Sequence, residues 1–323
     1  MAWEEDSSDT CSVLAPVDVI NTPGVLVSMV SNNTPLAEDV NPAWDSSTNY
    51  PTGARVYSAS THRVYESLKD VNAGKDPTVA ANRTTATGVG TYWIDVGPTN
   101  RTAAFDTLIS TPTVAPSPLV ITLSPGAFNG FALFGIDADT LDVKAYDSPG
   151  GNLIYSYSAP LEGSMPSDYY EYFYDRFKPQ TQFIASSIDP YGASQIVITL
   201  SKVSGPISLG MVAIGDMKPL GIPQRGASVE PIDYSSVGTD AYGNTTIRKR
   251  VNATGMSIQV KMDIQEANNV LNSVKLLLGI PVVVVGSMEE MYESLTVFGL
   301  LSAQLQYNDY GMPTLNCTVK GLI

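Results

Sequence analysis

One histidine, His62, and two cysteines, Cys11 and Cys317, are all that this chain of 323 residues offers to the commonest nucleophilic and metal-binding chemistries. A Ser–His or Cys–His couple has a single place to be built, and no nucleophile-elbow sequence lies near it. No His-Glu-x-x-His pair and no Cys-rich zinc spacing occurs. His62 is therefore expected on a surface or a strand, and neither metal nor cofactor is expected. The two cysteines stand at opposite ends of the chain, and one such pair is no disulfide framework, which points to assembly in a reducing cytoplasm.

Positive charge is also scarce. Eighteen Lys and Arg face 32 Asp and Glu, a formal net charge of −14. A phosphate backbone needs clustered cations to displace its counterions, so nucleic acid is excluded as a partner, and anionic membrane surfaces are disfavoured. The N-terminal MAWEEDSSDT is acidic where a signal peptide would be basic, and no apolar run approaches bilayer length, so no membrane insertion is expected.

What the sequence holds in quantity is 26 Gly, 22 Pro and 17 Tyr between short Val/Ile/Leu/Thr runs. Those residues punctuate extended segments, so a mainly β, multidomain fold is expected. Residues 1–41 mix short apolar stretches with Pro and Asn and read as a docking arm. Residues 42–110, dense in aromatics, read as a small β module. The stretch 111–119, TPTVAPSPL, reads as a Pro-rich linker. Residues 120–221 carry LVITL, FALFGI, LDVKAY, LIYSYS, IVITL and SLGMVAIG between Asp, Gly and Pro turns, the spacing of a two-sheet β-sandwich.

Residues 222–323 differ in kind. Ala267, Val270, Leu271, Val274, Leu277 and Leu278 recur at helical spacing, and Gly279 and Pro281 stop the helix. Strand runs SIQVKMDI, PVVVVG, SLTVFGLL and LNCTVKGLI surround it, so an α+β sandwich with one helix is expected there. The apolar run Pro281–Val285 has few elements to cover it and marks this segment as the assembly surface. Arg248 and Arg250, on one face of an alternating strand in the densest basic patch, are expected to pair with an acidic neighbouring subunit.

Two acidic groups need weighing. Asp168, Glu171 and Asp175 lie among tyrosines in DYYEYFYDRF, where two carboxylates across a sugar-sized gap would suit a glycosidase. Tyrosine-rich segments equally suit an interface, and contact is the expectation. Asp137, Asp139 and Asp142 lack the glycine and closing glutamate of a calcium loop and are expected in turns.

The segment AWDSSTNYPTGARVYSASTHRVYESLKDVNAGKDP, followed by YWIDVGPTN, resembles the small carbohydrate-binding modules of chitinases. The resemblance rests on Trp44, Tyr50, Gly53, Val56, Tyr65, Ser67, Asn72, Gly74, Pro77 and Trp93. It implies a compact twisted β fold that stacks aromatic rings on sugar faces. Trp44, Tyr65 and Trp93 are expected to form the core of the module, and Tyr50, Tyr57 and Tyr92 its sugar-contacting surface.

The phrases DVGPTNRTAAFD, VAIGDMKPLG, IDYSSVGTDAYGNTTIRKR, ESLTVFGLLS and CTVKGLI, in this order, resemble tail proteins of long-tailed, non-contractile phages that carry such a module. That resemblance implies a virion component of the tail tip or baseplate, assembled in the host cytoplasm, with a tail-tube-like C-terminal domain. Its implied partners are the terminal tail ring, the tail hub, further copies in threefold or sixfold symmetry, and a host-surface glycan. No catalytic residue is expected. Two alternatives stay open: a purely architectural protein that uses the module for protein contact, and a polysaccharide-degrading tail enzyme.

Overall fold

The computed structural model describes residues 10–84, 91–161, 163, 169–174, 179–239, 242–249, 252–289, 292–307 and 311–322. β-Branched and aromatic residues pack well on a pleated surface, and the short apolar runs fold accordingly. The chain opens with β1 (Cys11–Pro16), β2 (Leu26–Ser31) and β3 (Thr34–Pro35). A small module follows, made of β4 (Asn49–Tyr50), β5 (Arg55–Ser58), β6 (Arg63–Ser67), β7 (Asn72–Ala73) and β8 (Trp93–Pro98). Next come β9 (Thr113–Ala115), β10 (Leu119–Leu123), β11 (Gly130–Asp137), β12 (Thr140–Tyr146), β13 (Leu153–Pro160), helix α1 (Tyr169–Tyr174), β14 (Gln182–Ala185), β15 (Gln195–Ser201) and β16 (Ile207–Pro223). The last stretch holds β17 (Ser228–Asp233), β18 (Ser236–Thr239), β19 (Thr245–Arg248), β20 (Asn252–Lys261), helix α2 (Ile264–Leu277), β21 (Pro281–Val285), β22 (Thr296–Gln306) and β23 (Thr314–Gly321). The fold is mainly β and divided among several sheets.

A six-stranded sheet in the order β13-β12-β15-β10-β2-β3 faces β14, β11 and the first half of β16, with β9 beyond. Alternate residues point into the gap: Ile121 and Leu123, Leu141 and Val143, Ile196 and Ile198 from one sheet, Phe131, Leu133, Leu209 and Ile214 from the other. Burying each such side chain contributes about 1.5–3 kcal/mol, which is what holds the two sheets together. This is the sandwich expected from the strand spacing.

The second half of β16 leaves the sandwich and enters another core. It pairs with β1, then the ladder runs through β21, β22, β23 and β20, and β20 returns to β16 through Ile222↔Lys261 and Pro223↔Val260. Six antiparallel strands are thereby closed into a barrel. Val13, Leu220, Ile258, Val282, Leu315 and Val319 fill it. Helix α2, capped by the Asp263 side chain on the Gln265 amide at 2.8 Å, lays Ala267, Val270, Val274 and Leu277 onto this core. Leu278, expected in the same stripe, sits past the helix end and is exposed.

Three sequence expectations need correction. Segment 1–41 is no free docking arm: β1 is a barrel strand between β16 and β21, and β2 is a sandwich strand beside β10. Segment 111–119 is no free linker, because Thr113–Ala115 pairs with Ile207–Leu209 and Ser31 Oγ donates to the Pro116 carbonyl at 2.6 Å. The run Pro281–Val285 is not left uncovered, which removes that ground for expecting the assembly interface in 222–323. It is paired on both edges, with Val282 and Val284 inside the barrel. Val283 and Val285 lie in an outer cluster with Leu14, Phe134 and Phe298. In each case a strand partner distant in sequence supplied what the local pattern lacked, as is common in β folds.

Close packing of β1 on β16 requires glycine at one position. A Cβ at Gly215 would run into the Ala15 carbonyl oxygen and meet Pro16 Cα at 3.4 Å. Gly215→Ala should therefore push β1 outward and cost about 1–3 kcal/mol, the range for overpacking a dense core. In urea denaturation the sandwich and the barrel should lose stability together; a variant as stable as the parent would show that β1 does not depend on this contact.

Candidate functional site

The module is built around Trp93. Tyr50, Val56, Tyr65 and Trp93 form its buried cluster, with Trp44, Ala54 and Tyr92 packed at the margin. Tyr50 meets Trp93 edge-on, with ring centroids 5.4 Å apart, and Trp93 Nε1 donates to the Lys75 carbonyl at 2.6 Å. Gly53 (φ +84°) and Gly74 (φ +66°) make the two turns in the left-handed conformation that glycine adopts without steric cost. Buried Asn72 donates through Nδ2 to Ser67 Oγ at 3.1 Å and to the Tyr92 carbonyl at 3.2 Å, so a polar clamp fastens the loop to the final strand.

Of the three tyrosines expected at the sugar-contacting surface, Tyr50 is not there. Tyr50 is 7% exposed, inside the core, and its hydroxyl accepts from the Asp45 amide at 2.8 Å. A tyrosine ring suits surface and core alike, and the edge contact with Trp93 assigns Tyr50 to the interior. Tyr57 is half-buried on β5 and points to the face opposite Val56, away from the core. Tyr92 is half-buried at the edge of the core. Tyr50 is therefore not free to stack on a ligand, while Tyr57 and Tyr92 each keep part of their surface. Of the expected core residues, Tyr65 and Trp93 are fully buried and Trp44 is half-buried.

Around Tyr92 lies a feature that the sequence reading missed. Lys69 Nζ stands 4.7 Å and Lys75 Nζ 5.0 Å from its ring centroid. The main chain of Arg83 pairs with that of Trp93 next to it. The available signal was charge: six of the chain's 18 basic residues fall within 42–110.

His62 serves as a joint. Its main chain is left-handed (φ 53°), and its Nδ1 lies 2.6 Å from Glu38 Oε1. The same carboxylate accepts from Thr99 Oγ1 at 2.9 Å and faces Arg101 Nη1 at 3.6 Å, while the His62 carbonyl accepts the Thr99 amide. These bonds fasten the module to the chain that precedes it.

The acidic groups are engaged elsewhere. Asp137 pairs with Lys202 at 2.5 Å, Asp139 accepts the Val203 amide at 2.7 Å, and Asp142 lies 3.5 Å from Lys144. Asp168, Asp175 and the Glu171 side chain lie outside the described residues. On α1 the aromatics Tyr169, Tyr170, Phe173 and Tyr174 are all exposed and pair along the helix, Tyr170 stacking on Tyr174 at 5.1 Å. No group of three His, Cys, Asp or Glu side chains suited to a metal occurs among the described residues. Both thiols lie in the barrel core, where burial pushes them up, Cys317 to about 12; Cys11, beside Cys317, is raised further.

A second candidate surface leaves the barrel at β17. Among the described residues this strand pairs with β20 alone, and beyond it β18 and β19 pair only with each other. All eight residues of the two strands are exposed, including Val237 and Ile247 directly opposite one another at 67% and 69%. Arg248 is exposed at the end of β19, opposite Ser236, and Arg250 lies outside the described residues.

Tyr50→Ala and Trp93→Ala should each unfold the module, since losing a buried aromatic costs about 3–5 kcal/mol. Tyr57→Ala should leave its melting transition in place, and a Tyr50→Ala chain that melts with the parent would return that ring to the surface. At pH 8 Ellman's reagent should label neither thiol in the folded chain and both in urea, because the reactive thiolate is suppressed by burial. Rapid labelling of the native protein would place either cysteine outside the core.

No family model matches this chain, and neither a curated protein nor a solved structure is similar to it.

Proposed function

We propose that this chain is a non-enzymatic structural component of the tail tip or baseplate of a long-tailed, non-contractile phage. In this reading it is assembled in the host cytoplasm and carried in the virion. Its C-terminal barrel joins further copies, the terminal tail ring and the tail hub in threefold or sixfold symmetry, and its module contacts glycans of the host surface. The order of sequence phrases shared with such tail proteins supports the assignment.

The observation that carries the assembly part is the two-stranded arm formed by β18 and β19. A hairpin of this size exposed on both faces is marginal in water, and it presents apolar Val237 and Ile247 where solvent would disfavour them. Such an arm gains its stability from an interface. Arg248 and Lys249 give it positive charge in a chain of net charge −14, so the surface of another copy is electrostatically complementary to it. A purely architectural role for the module is the second reading, favoured by the Glu38–His62 joint that ties it to its neighbours.

Replacing Ser236–Arg248 by a short Gly-Ser turn tests the assembly reading. The thermal melting of the chain should be unchanged, because these strands contribute nothing to either core. In sedimentation velocity the parent chain should form trimers or hexamers as concentration rises, and the variant should remain monomeric. A variant that still assembles would remove the arm from the interface.

A further inference from the structure

We propose that the side of the module around Tyr92 binds an anionic saccharide, one that carries carboxylate or phosphate groups; this deepens the glycan reading of the module and rests on it. The inference starts from charge. Residues 42–110 hold six basic and six acidic residues, so this segment is neutral while the whole chain carries −14. Among those six cations, Arg55, Arg63 and Arg101 are held by Glu66, Asp95 and Glu38. The other three, Lys69, Lys75 and Arg83, have no carboxylate within ion-pair distance among the described residues.

Two of them, Lys69 and Lys75, stand at the Tyr92 ring, and Arg83 approaches the Tyr92–Trp93 dipeptide through its main chain. The Leu68 amide, beside Lys69, donates to the Tyr92 carbonyl at 2.9 Å. The Lys75 carbonyl accepts Trp93 Nε1 at 2.6 Å. Arg83 bridges to Trp93, and the next amide, Thr84, donates to the Trp93 carbonyl at 2.8 Å. Two acidic residues, Asp70 and Asp76, lie in the same stretch against these three cations, and the Asp76 carboxylate accepts the Thr78 amide at 2.8 Å.

The ring itself is changed by this arrangement. A neutral pyranose stacks on an uncovered aromatic face. Here two ammonium groups already stand within 5.0 Å of the Tyr92 centroid, attracted by its quadrupole, so a neutral sugar must displace one. An anionic sugar has no such conflict. Its carboxylate or phosphate is held by Lys69 and Lys75, with Arg83 adding to the local positive charge, and its C–H face keeps the ring edge as apolar contact.

The test is calorimetric titration of the full-length chain with four probes: hexagalacturonate, a glycerol-phosphate oligomer, chitohexaose and duplex DNA. A triple variant, Lys69→Ala with Lys75→Ala and Arg83→Ala, is titrated alongside after its melting temperature has been matched to the parent. One or both anionic saccharides should bind, and which of them binds separates carboxylate from phosphate recognition. Binding should weaken at least about tenfold in the triple variant and fall steeply between about 50 and 500 mM salt. Chitohexaose binding that equals anionic binding, or survives the triple substitution while anionic binding is absent, would overturn the anion assignment and leave the glycan reading in place. Binding of neither saccharide class would overturn both. Duplex DNA bound as tightly as the saccharides would show charge without sugar recognition and would also overturn the proposal. If a triple-variant chain fails to fold, Tyr92→Phe and single lysine variants carry the same comparison.

Discussion

The antiparallel ladder between Cys11–Pro16 and the second half of Ile207–Pro223 joins the start of the described chain to the C-terminal barrel. β16 already belongs to the sandwich through β11, so one continuous strand is common to both cores. Neither core is complete without it, and the barrel is not complete without β1, which also fills the gap between β16 and β21. Leu14, Phe134 and Phe298 seal the outer side of this junction, with the two phenylalanine centroids 6.4 Å apart across it. Long-range pairing of this kind makes a stiff body, because opening one part exposes apolar surface of the other.

That stiffness gives the remaining features their meaning. Among the described residues, the surfaces open to partners include the β18–β19 arm, the aromatic helix α1, and the edge of the module where Lys69 and Lys75 flank Tyr92. The module is fastened at its base by Glu38, His62, Thr99 and Arg101 while its loops stay at the surface. A rigid base with a presented edge suits a protein that holds and contacts, in keeping with the proposed role.

Much of the architecture was legible because local pattern and fold agreed. Helix α2 could be placed from its apolar spacing and from Gly279, and the strands Pro281–Val285 and Thr314–Gly321 from their β-branched runs. Partners remote in sequence were not legible. Nothing in CSVLAP says that it pairs with Val283–Val285, and nothing in TPTVAPSPL says that Thr113–Ala115 lies beside Ile207–Leu209. The site was read with the same asymmetry. Trp93 and Tyr65 stand out as core because the module is too small to close without them, whereas Tyr50 could be moved to the interior only by its contact with Trp93. Lys69 and Lys75 are ordinary lysines in sequence, and only the turn at Gly74 brings both to one ring.

The central claim, that the exposed arm is an assembly surface on an otherwise self-sufficient body, is tested most directly by amide hydrogen exchange. It is measured on the free chain and on particles that contain it. In the free chain the amides of Val237–Thr239 and Thr245–Ile247 should exchange quickly and those of Leu14–Ala15 and Ala213–Met217 slowly; in the particle the arm should become protected while the junction stays as it was. Arm amides that exchange as fast in the particle as in the free chain would contradict the account.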